Sequence, residues 1–76
     1  SDQLKYNRNQ VTTALCFCLH KYDMTSEDIA EVLNMSEKSV EKQIEKGYTK
    51  DIESFGAYSD HLFEFFDNSI KYLKNE

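Results

Sequence analysis

Apolar residues recur at helical spacing along most of the chain, and no stretch alternates as a half-buried strand does. The first amphipathic stretch predicts a helix over about 9–22. Its stripe leaves Cys16 and Phe17 away from the expected core. The stripe consists of Val11, Leu15, Cys18, Leu19 and Tyr22.

A second helix is predicted to begin after Thr25, a good N-cap residue that is followed three positions later by Asp28, as in a capping box. Met24 and Ile29 flank this start in the positions of a hydrophobic staple. The helix is expected to end at Asn34, because asparagine tolerates the left-handed conformation of a tight turn. Its expected buried face holds Ile29, Ala30, Val32 and Leu33.

The third segment repeats this pattern of cap, staple and buried face. Ser36 is the expected N-cap, and Met35 and Val40 are the staple pair. Val40 and Ile44 are expected to face inward, and Gly47 to stop the helix, because glycine favours helix C-termini. Acidic and basic residues form adjacent stripes on the outward face: Glu37, Glu41 and Glu45, and Lys38, Lys42 and Lys46.

The C-terminal part predicts an amphipathic helix over about 59–75, capped by Ser59. Between the third and last helices, residues 48–57 suggest a short helical turn from Thr49 to Gly56. The apolar arc of the last helix covers nearly half of its circumference, with Leu62, Phe63, Phe66, Ile70 and Leu73 at its centre. Either all of this apolar surface packs into the core, or the surface is larger than one small core can bury. In the second case the candidates for a dimer or partner interface are Phe17, Tyr58, Phe65 and Tyr72.

The composition fits one all-α domain over 1–76, with four or five helices. The sequence has no proline and two glycines, so few residues interrupt helices. No apolar run approaches the roughly 20 residues that span a bilayer, and we expect no membrane association. Cys16 and Cys18 point to nearly opposite faces of a helix, so we expect free thiols and a cytoplasmic location. Since the chain starts with Ser1, it is also interpretable as a fragment of a larger protein.

Side chains with reactive or metal-binding chemistry are few. Cys16, Cys18, His20 and His61 are the possible ligands of the Cys/His type, but Cys18 points away from its neighbours and structural zinc needs four ligands. Cys16 and His20 lie at i, i+4, as a nucleophile and its base would, yet nothing predicts a pocket around them. We therefore expect no enzyme activity, metal, cofactor or small-molecule substrate.

The stretch from Thr25 to Ile44 resembles the helix-turn-helix of sigma-factor region 4 and of response-regulator output domains. The matching residues are Ile29, Ala30, Leu33, the turn Asn34, Met35 and Ser36, and then Val40 and Ile44. The small Ala30 fits a point where two helices cross closely. The resemblance implies a helix-turn-helix unit over about 25–47 in a small DNA-binding transcriptional regulator of bacterial or phage type. The third helix, over about 37–46, would then enter the major groove of double-stranded DNA.

The same resemblance implies that the outward residues of the third helix contact DNA. Lys38 and Lys42 would contact guanine edges or phosphates, and Glu37 would accept a hydrogen bond from cytosine. Ser36 and Ser39 would donate to phosphates. The complete set of candidate DNA-binding residues is Ser36, Glu37, Lys38, Ser39, Glu41, Lys42 and Glu45. A homodimer formed through the last helix would set the half-site spacing.

Charge keeps a second interpretation open. The net charge is −5, of which −1 belongs to residues 1–50 and −4 to residues 51–76. The third helix carries three lysines, three glutamates and no arginine, the residue that most often recognises guanine. Because affinity for DNA comes largely from cation–phosphate contacts, the alternative is an acidic protein–protein interaction module on a helix-turn-helix frame. Such a module would be a phage-type inhibitor or an adaptor that does not bind DNA.

Overall fold

The computed structural model describes residues 8–49 and 59–75, and within these ranges all regular secondary structure is helical. The prediction of an all-α fold is confirmed. The four helices are α1 (Arg8–Lys21), α2 (Ser26–Leu33), α3 (Glu37–Thr49) and α4 (Ser59–Lys74). Of the segment 48–57, for which a short helical turn was expected, positions 48 and 49 belong to α3 and the rest, including Gly56, lies outside the described residues.

α1 is the central helix, and it contributes to two separate hydrophobic clusters. On one side Ala14 and Cys18 pack against Leu62 and Phe63 of α4. On the other side Cys16, which is fully buried, packs against α2 and α3. The expectation that Cys16 lies away from the core was wrong, because a helix covered on more than one side buries more than a single stripe. The two thiols are free and occupy opposite sides of α1, as predicted.

The ends of α2 and the start of α3 follow the predicted capping chemistry. The Thr25 hydroxyl accepts a hydrogen bond from the Asp28 amide at 3.1 Å. Asn34 ends α2 in the left-handed conformation, at φ 55° and ψ 50°. The Ser36 hydroxyl then accepts from the Ser39 amide at 3.1 Å. These local bonds fix a short turn between α2 and α3, which is the connection that the sequence predicted.

Gly47 does not end α3, contrary to the prediction. The helix continues to Thr49, and Gly47 is buried where α3 crosses α1. A Cβ atom at this position would lie 2.6 Å from Phe17 Cβ, so only glycine allows the two helices to approach this closely. Phe17 in turn packs edge-on against Tyr48, with ring centroids 5.0 Å apart, and against Phe63, at 5.4 Å. Phe17 is half-buried, and its ring joins α1 to α3 and α4, so less of it is accessible than an interface residue would offer. Its role in an interface stays a prediction.

Two residues expected in the core are exposed instead. Val32 keeps 67% of its surface, because it lies about 100° around the helix from Leu33, on the side of α2 that none of the described helices covers. Leu73 keeps 66%. The last residue of α1, Lys21, already pairs with Asp67 at 3.8 Å, so the final turn of α4 extends beyond the helix that would have covered it.

Candidate nucleic-acid interface

The candidate DNA-binding residues share one exposed face at the start of α3 and through its first half. Val40, Ile44 and Gly47, at i, i+4 and i+7, bury the opposite face. Every one of the seven residues singled out from the sequence is exposed: Ser36, Glu37, Lys38, Ser39, Glu41, Lys42 and Glu45. Six of them, all except Glu37, line one shallow groove on the surface of the helix. This arrangement offers a continuous set of polar side chains to a partner.

The two serines of this face do not have equivalent hydroxyl groups. Ser36 Oγ accepts from the Ser39 amide and also donates to Ser39 Oγ at 2.8 Å. Its hydrogen-bonding capacity is therefore used largely within the helix cap. Ser39 Oγ accepts in this pair and keeps its own proton as a donor. Of the two, Ser39 is the better placed to donate a hydrogen bond to a phosphate oxygen.

The charges on and around this face are mixed. Lys38 and Lys42 are one turn apart on α3, and Glu41 and Glu45 share their groove. All three acidic residues of α2, Glu27, Asp28 and Glu31, are exposed, and α2 contains no basic residue. Residues 25–49 together carry three lysines and six acidic residues, a net charge of −3. Within the α2–α3 unit, cation–phosphate attraction is therefore confined to the lysine positions of α3.

Gln43 is a polar residue of α3 that the sequence analysis did not single out. It is half-buried beside Ser39, and its Oε1 accepts a hydrogen bond from the hydroxyl of Thr13, which is 2% exposed. Because the oxygen is already engaged, the amide group presents N–H donors, which suit an acceptor such as a phosphate oxygen or a purine N7. No pattern in the sequence indicates this role, since it depends on a contact between positions 30 residues apart.

The candidate interface on α4 is apolar. Phe65 and Tyr72 are 63% and 68% exposed, and together with Leu73 they line a shallow groove over Asn68 and Ser69. The expectation that Phe65 and Tyr72 are accessible is in agreement with this arrangement, whereas their role in an interface stays a prediction. Tyr58, the remaining candidate, lies outside the described residues.

The environment of the cysteines does not favour nucleophilic chemistry. Burial raises the pKa of Cys16. Burial and, to a smaller extent, the Asp67 carboxylate raise the pKa of Cys18 from 9.0 to about 11, against an opposing effect of Lys21. A reactive cysteine needs the opposite shift, since the thiolate is the nucleophile. Within 8–49 and 59–75, no three side chains of the His, Cys, Asp or Glu type are grouped as a metal ion requires.

Comparison with known proteins gives no independent assignment of this surface. No protein-family model, curated protein or solved structure matches the chain. Across the helices that the structure describes, none is both long enough and apolar enough to pass through a lipid bilayer. The functional argument therefore depends on the geometry and charge of the α2–α3 unit and of α4.

Proposed function

We propose that this protein binds double-stranded DNA as a small cytoplasmic transcriptional regulator, with α3 as the helix that enters the major groove. The observation that supports this proposal is the division of α3 into two faces. The buried face, which packs against the core, consists of Val40, Ile44 and Gly47. The polar side chains on the opposite face are exposed. A helix presented in this way has the diameter and the donors that a major groove accepts.

Lys38 and Lys42 supply the electrostatic part of the interaction. Both are exposed and one turn apart, so they reach neighbouring phosphates or guanine edges along one strand. Ser39 and Gln43 add neutral donors beside them. With few cations, affinity for nonspecific DNA is low, and binding depends on a site at which the neutral donors are also satisfied.

The proposal includes a homodimer formed through the exposed groove of α4. Two recognition helices double the number of base contacts without adding cations to either chain, and the dimer fixes the distance between half-sites. Phe65, Tyr72 and Leu73 provide the aromatic and aliphatic side chains that are enriched in protein interfaces.

The test is selection of duplexes from a random library at low salt, followed by fluorescence-anisotropy titration of the enriched sequence. We expect the wild-type protein to enrich a defined sequence. We expect Lys38→Ala with Lys42→Ala to weaken its binding roughly 100-fold and to reduce the salt slope by about 2. The matched control is Lys71→Ala with Lys74→Ala, which removes the same charge from α4 and leaves binding within about twofold. Equal losses in both double variants would remove α3 from the interface.

A second candidate function, binding of a basic protein partner, is favoured by the acidic surface of α2. Glu27, Asp28 and Glu31 would face repulsion from phosphates but attraction from lysine-rich or arginine-rich surfaces. The variant Glu27→Gln with Glu31→Gln distinguishes the two functions. A DNA-binding protein should gain affinity for duplex DNA when these charges are removed. Failure of the wild-type protein and of this variant to bind any duplex, even at low salt, would favour the protein-binding function.

A further inference from the structure

The start of α1 lies next to the exposed face of α3. Arg8 and Asn9 line a cleft of about 460 Å³ that Ser39 and Gln43 of α3 also line. Ser39 also belongs to the groove that contains Lys38 and Lys42. Ser39 is therefore common to the cleft and the groove, with Arg8 on the side of the cleft and the two lysines on the side of the groove.

Arg8 has a special position in the charge distribution of the chain. It is the one arginine of the sequence, and α3, where a guanidinium was expected from a DNA-binding helix, has none. Among the residues that line the cleft, Arg8 is the one with a charge, whereas the α3 groove combines two lysines with two glutamates. The first turn of α1 contains no acidic residue. The cation of Arg8 is thus not offset by acids in its own helical turn or in the cleft.

The relation between Arg8 and α3 is held by packing rather than by a flexible connection. Thr13, one and a half turns further along α1, donates its hydrogen bond to Gln43 of α3. Cys16 is buried with Val40 in the cluster that joins α1 to α2 and α3. The backbone of Arg8 is part of the same helix, and its carbonyl accepts from the Thr12 hydroxyl at 2.8 Å. The Arg8 backbone therefore belongs to a helix that is packed against α3, and this packing places Arg8 beside the cleft.

We infer that Arg8 is a DNA-contact residue, which supplies from α1 the guanidinium that α3 lacks and binds a backbone phosphate at the edge of the groove occupied by α3. The guanidinium binds a phosphate with two parallel N–H donors, a geometry that lysine does not reproduce. This inference rests on the proposed function. It adds a second helix to the interface.

The test compares Arg8→Ala, Arg8→Lys and Lys74→Ala by anisotropy on the enriched duplex over a series of salt concentrations. We expect Arg8→Ala to bind roughly tenfold more weakly and to lower the salt slope by about 0.9, the contribution of one phosphate contact. Arg8→Lys should keep the slope and lose part of the affinity. Lys74→Ala removes the same charge from α4, near the end of α1 that is distant from Arg8. The Lys74 Nζ lies 5.3 Å from the centre of the Tyr22 ring. This variant should bind as the wild type does.

The possible outcomes separate this inference from the proposal on which it rests. If the Lys38 and Lys42 double variant loses binding while Arg8→Ala binds with wild-type affinity and slope, Arg8 is not a contact and α3 remains the recognition helix. If Arg8→Ala and Lys74→Ala lose affinity equally, the effect is one of net charge and the inference fails. Absence of duplex binding by the wild-type protein would refute both this inference and the proposed function. Helical circular dichroism of each variant excludes unfolding as the cause.

Discussion

At the scale of single residues, the contact between α1 and α3 depends on the absence of one side chain. Gly47 lies inside α3, and the atoms closest to the missing Cβ are Cβ, Cγ and Cδ1 of Phe17. The base of the Phe17 side chain cannot swing away from α3 as the tip of a long side chain can. Glycine has a poor helical propensity, but the absence of a Cβ atom at Gly47 allows α1 and α3 to pack closely, and this packing offsets the cost.

Gly47→Ala is expected to lower the free energy of unfolding by about 1–2 kcal/mol. Overpacking against Phe17 costs roughly 1–3 kcal/mol, from which the better helical propensity of alanine recovers up to about 1 kcal/mol. Urea unfolding followed by circular dichroism measures the difference. Glu45→Ala, on the exposed face of the same helix, is the control and should change stability by less than about 0.5 kcal/mol. An unchanged or raised midpoint for Gly47→Ala would contradict the close packing described above.

The buried thiol of Cys18 makes the stability sensitive to alkaline pH. Burial raises its pKa from the ordinary value of 9.0 to about 11 in the folded protein. Above pH 9 the unfolded state therefore releases a proton that the folded state retains, so stability falls as the pH rises from about 9 to about 11. The total loss from this thiol is roughly 3 kcal/mol. In Cys18→Ala, urea unfolding over this range should show a shallower decline than the wild type, and parallel curves would contradict the assignment.

At the scale of elements, the caps at the start of α2, the end of α2 and the start of α3 are determined locally, so their positions could be predicted from the sequence. Thr25, Asn34 and Ser36 occupy the cap positions predicted for them, because each bond that they make joins residues no more than four positions apart. The end of α3 could not be predicted in this way. The sequence motif of glycine at a helix end also fits a glycine at a helix crossing, and only the position of Phe17, 30 residues earlier, decides between the two.

Thr25→Ala is expected to destabilise the protein by about 1 kcal/mol, because it removes the acceptor for the Asp28 amide at the start of α2. Thr25→Ser keeps the hydroxyl and should retain nearly all of the stability. Thermal unfolding of the two variants side by side measures the effect of the hydroxyl separately from that of the methyl group. Equal melting temperatures for the serine and alanine variants would show that this cap contributes nothing.

At the scale of the whole molecule, the fold places two kinds of surface on different helices. The α2–α3 unit and the start of α1 present polar groups, whereas the end of α4 presents Phe65, Tyr72 and Leu73. The sequence predicted the exposure of the seven candidate residues between Ser36 and Glu45, since an amphipathic pattern shows which side of a helix is outward. It did not indicate Gln43 or Arg8, whose positions beside this face depend on the packing of α1 against α3. It could not separate Phe17 from Phe65, because both lie beside an apolar stripe and only the tertiary packing shows which of them another helix covers.

We expect the Phe65→Asp variant to self-associate more weakly than the wild-type protein, because the substitution places a charge in the apolar groove of α4. Sedimentation equilibrium at several concentrations measures the shift from dimer to monomer. Val32→Asp is the matched control, since Val32 is exposed to a similar degree but belongs to α2. A wild-type protein that is already monomeric at high concentration, or an equal effect of both substitutions, would contradict a dimer through α4.

The presence of α1 in both hydrophobic clusters also determines how the protein comes apart. α4 packs through the cluster around Ala14 and Cys18, whereas α2 and α3 pack through the one around Cys16. Detachment of α4 exposes the cluster around Ala14 and Cys18 and leaves the one around Cys16 intact, whereas unfolding of α1 disrupts both clusters. We therefore expect backbone amides of α4 to exchange with deuterium sooner than those of α1, whose exchange should require global unfolding.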